Sequence, residues 1–378
     1  MERTAIIAAA ADAGHAGHSA AAGAPLSPDV SSRRLGLPLL DPQRRAITYL
    51  RLSVTDRCNY RCTYCMPEDG IDHAERDDIL SFEEIVAIVR AFACVGVRRV
   101  RLTGGEPTVR RDLVDLVHML RAVPGIEDLA LTTNGHLLAQ MAAPLRAAGL
   151  DRLNVSLDSL DAAKFARITR RGDLAAVVAG IEAARAAGFA TIKMNVVAIK
   201  GFNDGEVAAL CAWAWARGLI PRFIEQMPMA GGDLYVPGQL LSAAEIRALI
   251  EGAHPGARLV PDDGGAARGG GPARYFVLRG GFADDGTGQA GPRRLGVISP
   301  MTEHFCDTCN RVRLSAAGAL HTCLAYDDAT NLRDVLRARG EDAVVDAIRA
   351  AVGGKRDGHV FQISGAGGPR KSMIQIGG

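Results

Sequence analysis

The chain lacks any run of about 18 consecutive apolar residues, so no transmembrane helix is expected. It also lacks a surplus of charge: 44 basic residues face 42 acidic ones, a net charge of +2. That balance argues against a protein built to coat nucleic acid or a membrane surface, so neither partner is expected. Any anion site must come from local clustering. The start, "MERTAIIAAAADAG", lacks the basic opening and strongly apolar middle of a secretory signal. Cytoplasmic localisation is therefore expected. No repeat of about 20–50 residues is present beyond a strand–helix alternation.

What is present suits a soluble globular protein. The 378 residues are 48% hydrophobic and 23% charged. At roughly 150 residues per domain, the length fits two domains, or one barrel plus an extension. Residues 1–40 are rich in Ala, Gly, His and Ser and read as a disordered tail. His15 and His18 could bind a stray metal there, but a solvated tail is the simpler reading.

From Ala46 onward strands and helices alternate. "AITYLRLSVT", "RRVRLT", "DLALTT", "DRLNVSL", "ATIKMNVVAI" and "LIPRFIEQM" read as six strands separated by helical segments. "SFEEIVAIVRAFACVG" opens with a capping box, Ser81 and Glu84. Pro144 falls within another helix and is expected to kink it. Crossovers of about a dozen residues or more imply parallel pairing. Six such units suggest an α/β fold, an incomplete (β/α)6 TIM-like barrel or an open α/β sheet, over residues 41–240. Residues 241–378 read as an α+β extension. They contain a Gly-rich, mobile-looking stretch, 261–294, with "RYFVL" as a short strand inside it. "LGVIS" and "NRVRLS" follow as strands, and "TNLRDVLRARG" and "EDAVVDAIRAAVGG" as helices.

Of eight cysteines, six form two triplets. Cys94 and Cys211 stand alone in apolar helical segments and read as small buried hydrophobes. "CNYRCTYC" places Cys58, Cys62 and Cys65 together without a fourth. His73 could complete a zinc site. Alternatively, three thiolates on a [4Fe–4S] cluster leave one iron open to a small molecule. "CDTCNRVRLSAAGALHTC" repeats the shortage with Cys306, Cys309 and Cys323, where His304 or His321 could close a zinc site.

Arginines follow strand periodicity. Arg51, Ser53 and Thr55 share one face, opposite Leu50, Leu52 and Val54. Arg99, Arg101 and Thr103 oppose Val100 and Leu102 in the same way. Arg311 and Arg313 also share a face beside the second triplet. Such polar faces are costly to bury unless they line a wet or ligand-filled cavity. Guanidiniums converging there suit a polyanion. Gly104 and Gly105, in "LTGGEP" after the second strand, permit close backbone approach to a ligand.

C-x3-C-x2-C with Tyr64 before its last cysteine resembles the signature of the radical S-adenosylmethionine (SAM) enzymes. The longer "RLSVTDRCNYRCTYCMP", the second triplet and the final Gly-Gly resemble the GTP 3′,8-cyclase family in particular, from about Arg44 to Gly378. That resemblance implies two [4Fe–4S] clusters and a C-terminal extension closing the barrel's open side. It implies that Tyr64, Gly105, Ser156 and Met227 contact SAM. It implies that Arg51, Arg101, Thr132, Lys193, Arg311, Val312 and Arg313 contact GTP, with help from Arg222. The second cluster would bind the guanine. Gly377 and Gly378 would project into the active site, and Arg311 and Arg313 would help reduce the radical formed after ring closure. The product would pass to cyclic pyranopterin monophosphate synthase, and an electron donor would be needed. Two other readings stay open at this point. One is another twin-cluster radical SAM enzyme, such as a peptide-modifying one. The other is a non-enzymatic zinc-binding module. The sequence does not choose between a monomer and a homodimer.

Overall fold

The computed structural model describes residues 38–230, 235–262, 271–280 and 292–376. The tail with His15 and His18, two pieces of the Gly-rich stretch (263–270 and 281–291), and Gly377 and Gly378 lie outside the described residues.

The first half alternates as the periodicity implies. β1 (Tyr49–Ser53) leads to α1 (Phe82–Cys94) and β2 (Arg99–Thr103). Then come α2 (Leu113–Arg121), β3 (Asp128–Thr133), α3 (Leu138–Ala147) and β4 (Arg152–Ser156). α4 (Ala162–Thr169), α5 (Leu174–Ala186), β5 (Ile192–Ala198), α6 (Val207–Trp215) and β6 (Ile220–Glu225) complete it. Ser81 and Glu84 form the expected reciprocal cap on α1. Ile85, Ile88, Val89 and Phe92 then recur at helical spacing and bury one stripe against the sheet. Pro144 lies inside α3. α4 escaped the sequence pattern because eight residues offer only Phe165 and Ile168 as bulky apolar buried positions.

The second half contains α7 (Ala243–Gly252), β7 (Arg258–Pro261), β8 (Arg274–Arg279) and β9 (Arg294–Ile298). It continues with β10 (Arg311–Leu314), β11 (Ala319–His321), β12 (Thr330–Asn331) and α8 (Leu332–Gly353). α8 is two helical pieces interrupted at Gly340, whose φ of 77° breaks the helix. The short strands β7, β11 and β12 were not legible in the sequence.

All these strands join one sheet, in the order β12-β11-β10-β1-β2-β3-β4-β5-β6-β9-β8-β7. β1 to β6 pair in parallel, as the crossovers require. β10 adds in parallel to the free edge of β1, and β9 to that of β6. The second half thus extends both edges of the partial barrel with backbone hydrogen bonds. Leu50, Leu52, Val100, Leu102, Val312 and Leu314 face the helices and are buried. Their alternate neighbours face the lumen.

Candidate active site

One cavity collects the inward side chains. Its wall takes Arg51 from β1, Arg101 from β2, Thr132 from β3 and Ser156 from β4. Asn195 and Val197 of β5, Arg222 and Ile224 of β6, and Met227 just beyond it continue the wall. Arg311 and Arg313 of β10 close the circuit. Tyr64 and Cys65 reach the same cavity as Cys306, Cys309 and Cys323. Residues about 260 positions apart in sequence therefore face one space.

The loop holding the first triplet leaves β1 and is gripped from two sides. Arg61 and Thr63 donate their backbone N–H groups to Thr169 and Ile168 at the end of α4, at 3.0 and 2.9 Å. Gly105 N donates to Thr55 O and Glu106 N to Arg57 O, both at 2.8 Å. A Cβ on Gly104 would lie 2.5 Å from Thr55 O, and one on Gly105 2.3 Å from Arg57 O. The close approach the glycines permit in this structure is thus to the cysteine loop itself. Burial pushes the Cys58 thiol up to about 11 and the Cys65 thiol up to about 12. Cys62 is also raised, by burial and then by Cys65, Asp158 and Cys58 nearby. Three raised thiols stay protonated until a cation joins them, and metal binding releases their protons.

The second triplet has a different environment. Cys306 is raised, first by burial and then by neighbouring Cys323 and Cys309. For Cys309 burial also acts upward, but Arg311 and Lys355 together outweigh it and bring the thiol down to about 7. Among the described residues, no three His, Cys, Asp or Glu side chains gather closely enough to hold a single metal ion. A four-iron cluster puts each thiolate on a different iron, so it suits a wider spacing. The candidate histidines have other partners or other places. His73 faces Asp56 at 3.5 Å. His304 Nδ1 lies 2.8 Å from Pro300 O and 2.9 Å from His359 Nε2. His321 is fully buried on β11 with both ring nitrogens unpartnered. Of the lone cysteines, Cys211 is fully buried as expected. Cys94 is only half-buried, because it ends α1 beside Glu341 of α8 rather than facing the core.

The cavity is short of anions for its cations. Among the described residues, its lining carboxylates are Asp158 and Glu225, both at strand ends. Arg51 is held well below its usual pKa by burial and then by Arg313, and Arg313 falls to about 10 through burial and Arg311. The Nε atoms of Arg51 and Arg101, Tyr49 OH and Thr132 Oγ1 are buried without a hydrogen-bond partner. Unpaired buried donors of this kind are expensive, and an anionic ligand relieves them. Lys193 lies below this wall, on the same strand face as Asn195. Its ammonium sits 5.1 Å from the Tyr275 ring centroid, and burial pulls it down to about 8. Arg222 donates to Asn154 Oδ1 at 2.7 Å and to Asn195 Oδ1. Val312 departs from the expected contact set: its side chain is in the core on the opposite face, so only its backbone is available to a ligand.

Three buried carboxylates were not singled out in the sequence. Glu106 accepts from Thr108 N, Thr108 Oγ1, Thr133 Oγ1 and Asn134 N at 2.6–3.0 Å. Asp158 accepts from Tyr64 OH and Val197 N, both at 2.8 Å. Glu225 accepts from Ala243 N and Met301 N at 2.8 Å and from Thr302 N at 3.0 Å. Each follows a strand directly or ends one, in "LTGGEP", "NVSLD" and "RFIEQM". That position, an acid at the carboxyl end of a parallel strand, was the available signal.

Comparison with known proteins gives consistent results. Residues 52–214 match the radical SAM superfamily, and residues 220–361 match the Molybdenum Cofactor Synthesis C family. The chain is 48% identical over 306 residues to a GTP 3′,8-cyclase of Ectopseudomonas mendocina, covering 81% of this chain and 87% of that one. It is 44% identical over 338 residues to a GTP 3′,8-cyclase of Caulobacter vibrioides, covering 88% and 92%. A solved structure of Streptococcus suis SuiB bound to S-adenosylmethionine shares the fold, with a TM-score of 0.53 at 13% identity over 83% of this chain and 68% of that one.

Proposed function

The chain belongs to the GTP 3′,8-cyclase family of radical SAM enzymes, and on that premise we propose how its residues divide the work. The reaction converts GTP to (8S)-3′,8-cyclo-7,8-dihydroguanosine 5′-triphosphate, the first step of molybdenum cofactor biosynthesis. The carrying observation is the convergence of both cysteine triplets on one cavity with Arg51 and Arg101, whose buried Nε atoms lack a hydrogen-bond partner.

Cys58, Cys62 and Cys65 would hold one [4Fe–4S] cluster, and Cys306, Cys309 and Cys323 a second. When bound, these supply the electron that cleaves SAM and an open iron for the guanine of GTP. Tyr64, Gly105, Ser156 and Met227 surround the SAM end. Arg51, Arg101, Arg311 and Arg313 hold the triphosphate through charged hydrogen bonds. Thr132, Lys193 and the backbone of Val312 complete the GTP site, with Arg222 braced by two asparagines. Val197, Ile224, Ile298, Phe305 and Phe361 supply apolar wall that keeps water from a reactive radical. Holding ribose and SAM in one orientation turns hydrogen abstraction into an effectively intramolecular event. Gly377 and Gly378 would add thin backbone to the same space. In this reading residues 41–240 form the partial barrel and 241–378 the region of the second cluster. The enzyme acts in the cytoplasm, takes electrons from a donor and passes its product to cyclic pyranopterin monophosphate synthase. Among the described residues, no helix is long and apolar enough to cross a membrane.

The test is anaerobic incubation with GTP, SAM and a reductant, followed by product mass analysis and metal counting. The cyclised nucleotide and about eight irons per chain are expected. Two zincs without sulfide, or turnover of a peptide in place of GTP, would overturn the reading.

A further inference from the structure

Tyr64 is more than the aromatic residue its motif asks for. Its hydroxyl donates to Asp158 Oδ2 at 2.8 Å, and Asp158 Oδ1 accepts from Val197 N at 2.8 Å. Asp158 follows β4 and is 2% exposed. Its own carbonyl accepts from Asn203 Nδ2 at 2.8 Å, and the same amide group donates to Val197 O at 2.9 Å. Asn203 Oδ1 in turn accepts from Ile199 N at 2.8 Å. The ends of β4 and β5 are thereby locked to each other, and the Tyr64–Asp158 bond runs from them to the cysteine loop. The loop is also tethered on this side by the backbone bonds of Arg61 and Thr63 to the end of α4, and by Arg170 Nη1, which donates to Arg61 O at 3.2 Å and Met66 O at 3.4 Å.

We propose that Asp158 is a positioning residue for SAM, acting through the Tyr64 hydroxyl to fix the Cys62–Cys65 turn against the ends of β4 and β5. Tyr64 and Asp158 both face the cavity beside Ser156 and Met227. A phenylalanine would supply the ring without the anchor. Each carboxylate oxygen accepts one hydrogen bond, so Asp158 holds both groups at once. Alanine there would leave both donors without it, whereas an amide could keep the Val197 bond and turn its NH2 to the Tyr64 hydroxyl, which also accepts. The inference rests on the SAM-binding reading above and deepens it.

A double-mutant cycle on anaerobically reconstituted protein without GTP tests it. The variants are Asp158→Ala, Tyr64→Phe and the pair. The readouts are the SAM dissociation constant and the change in the reduced first cluster's electron paramagnetic resonance spectrum on adding SAM. Each single variant is expected to weaken SAM binding about tenfold, and the pair by about the same tenfold, since both cut one link. The SAM-induced spectral change should shrink alike in all three, with iron content and GTP affinity retained. A pair weakened about a hundredfold would show that Asp158 acts independently of Tyr64, and wild-type behaviour of Asp158→Ala would show that it does not act; either overturns the proposal. Wild-type protein that neither binds nor cleaves SAM would instead overturn the functional reading itself.

Discussion

Arg51 on β1 and Arg313 on β10 are register partners on adjacent parallel strands, so two guanidiniums from opposite ends of the chain lie side by side. Burial and then Arg313 lower the pKa of Arg51, and burial and then Arg311 lower that of Arg313, because like charges there share little water. Without a ligand this is a liability to folding; in the proposed GTP site the pair would clamp the triphosphate.

Arg313→Met should therefore separate stability from binding. It removes a charge from a residue only 9% exposed and keeps most of the volume. The unliganded protein should gain about 1 kcal/mol or more. GTP binding should fall about tenfold or more, the loss of a charged hydrogen bond worth roughly 1.5–3 kcal/mol. Thermal denaturation and a GTP titration read the two effects. Lower stability with unchanged affinity would remove Arg313 from the substrate site.

Lys193 gives a pH signature. Its pKa is about 8 in the fold against an ordinary value of 10.5. Between these values the unfolded chain holds a proton that the folded chain has lost, so this group's contribution to stability rises with pH across about 8 to 10.5. If Lys193 contacts GTP as proposed, binding should run the other way, favouring the charged form and weakening as pH rises through about 8. Comparison with Lys193→Met isolates the group from other titrations. Parallel pH curves for wild type and variant, in both stability and GTP affinity, would show that Lys193 does not titrate there.

The sequence carried the barrel because its strands alternate an apolar and a polar face, and helices such as α1 show a clear apolar stripe. Arg51 against Leu50 and Leu52 is the plainest case. It also carried the cysteines, whose spacing is local. It did not carry β7, β11, β12 or α4, which are too short to show a period. Nor did it reveal that β9 and β10 flank opposite edges of the same sheet, since that pairing is set by long-range register. Asp158 and Glu225 were overlooked for a related reason: a lone acid after a strand gains meaning only when its backbone partners, Val197 or Met301, are seen.

Gly105 offers a purely steric test. Its added Cβ would sit 2.3 Å from Arg57 O and 3.0 Å from the Cβ of Cys58. Backbone would have to move, and the first cysteine of the triplet would move with it. Gly105→Ala should lose about four irons and GTP-independent SAM cleavage. Gly205→Ala, where a Cβ meets nothing within 4 Å, serves as the control and should behave as wild type. Full iron and normal cleavage in Gly105→Ala would mean that the loop does not depend on this approach.

Arg45 offers the complementary test at the other triplet. It precedes β1, yet its guanidinium reaches the far end of the chain. Nη1 donates to Cys306 O at 2.8 Å and Asp357 O at 2.6 Å, and Nη2 to Arg356 O at 2.7 Å. Nε is held by Asp41 Oδ2 at 2.5 Å, and Asp41 is itself buried. One side chain thus satisfies three carbonyls of the second cysteine region and anchors them to the start of the barrel. Arg45→Met keeps the apolar stem but leaves those carbonyls without their donor and Asp41 without its countercharge, its Oδ1 still accepting from Gln43 N and Arg45 N; breaking a fully buried pair costs about 3–5 kcal/mol. Water can reach part of this surface, so the global cost should be smaller and the damage local. The first cysteine triplet makes no hydrogen bond with Arg45 among the described residues. The variant should accordingly keep about four irons and cleave SAM without GTP, while its second cluster is lost more readily to a chelator and its GTP affinity drops. Iron counting before and after chelator treatment, alongside SAM cleavage, separates these outcomes. Equal loss from both clusters would make Arg45 a general stabiliser of the fold, and no loss from either would leave the clamp without a role.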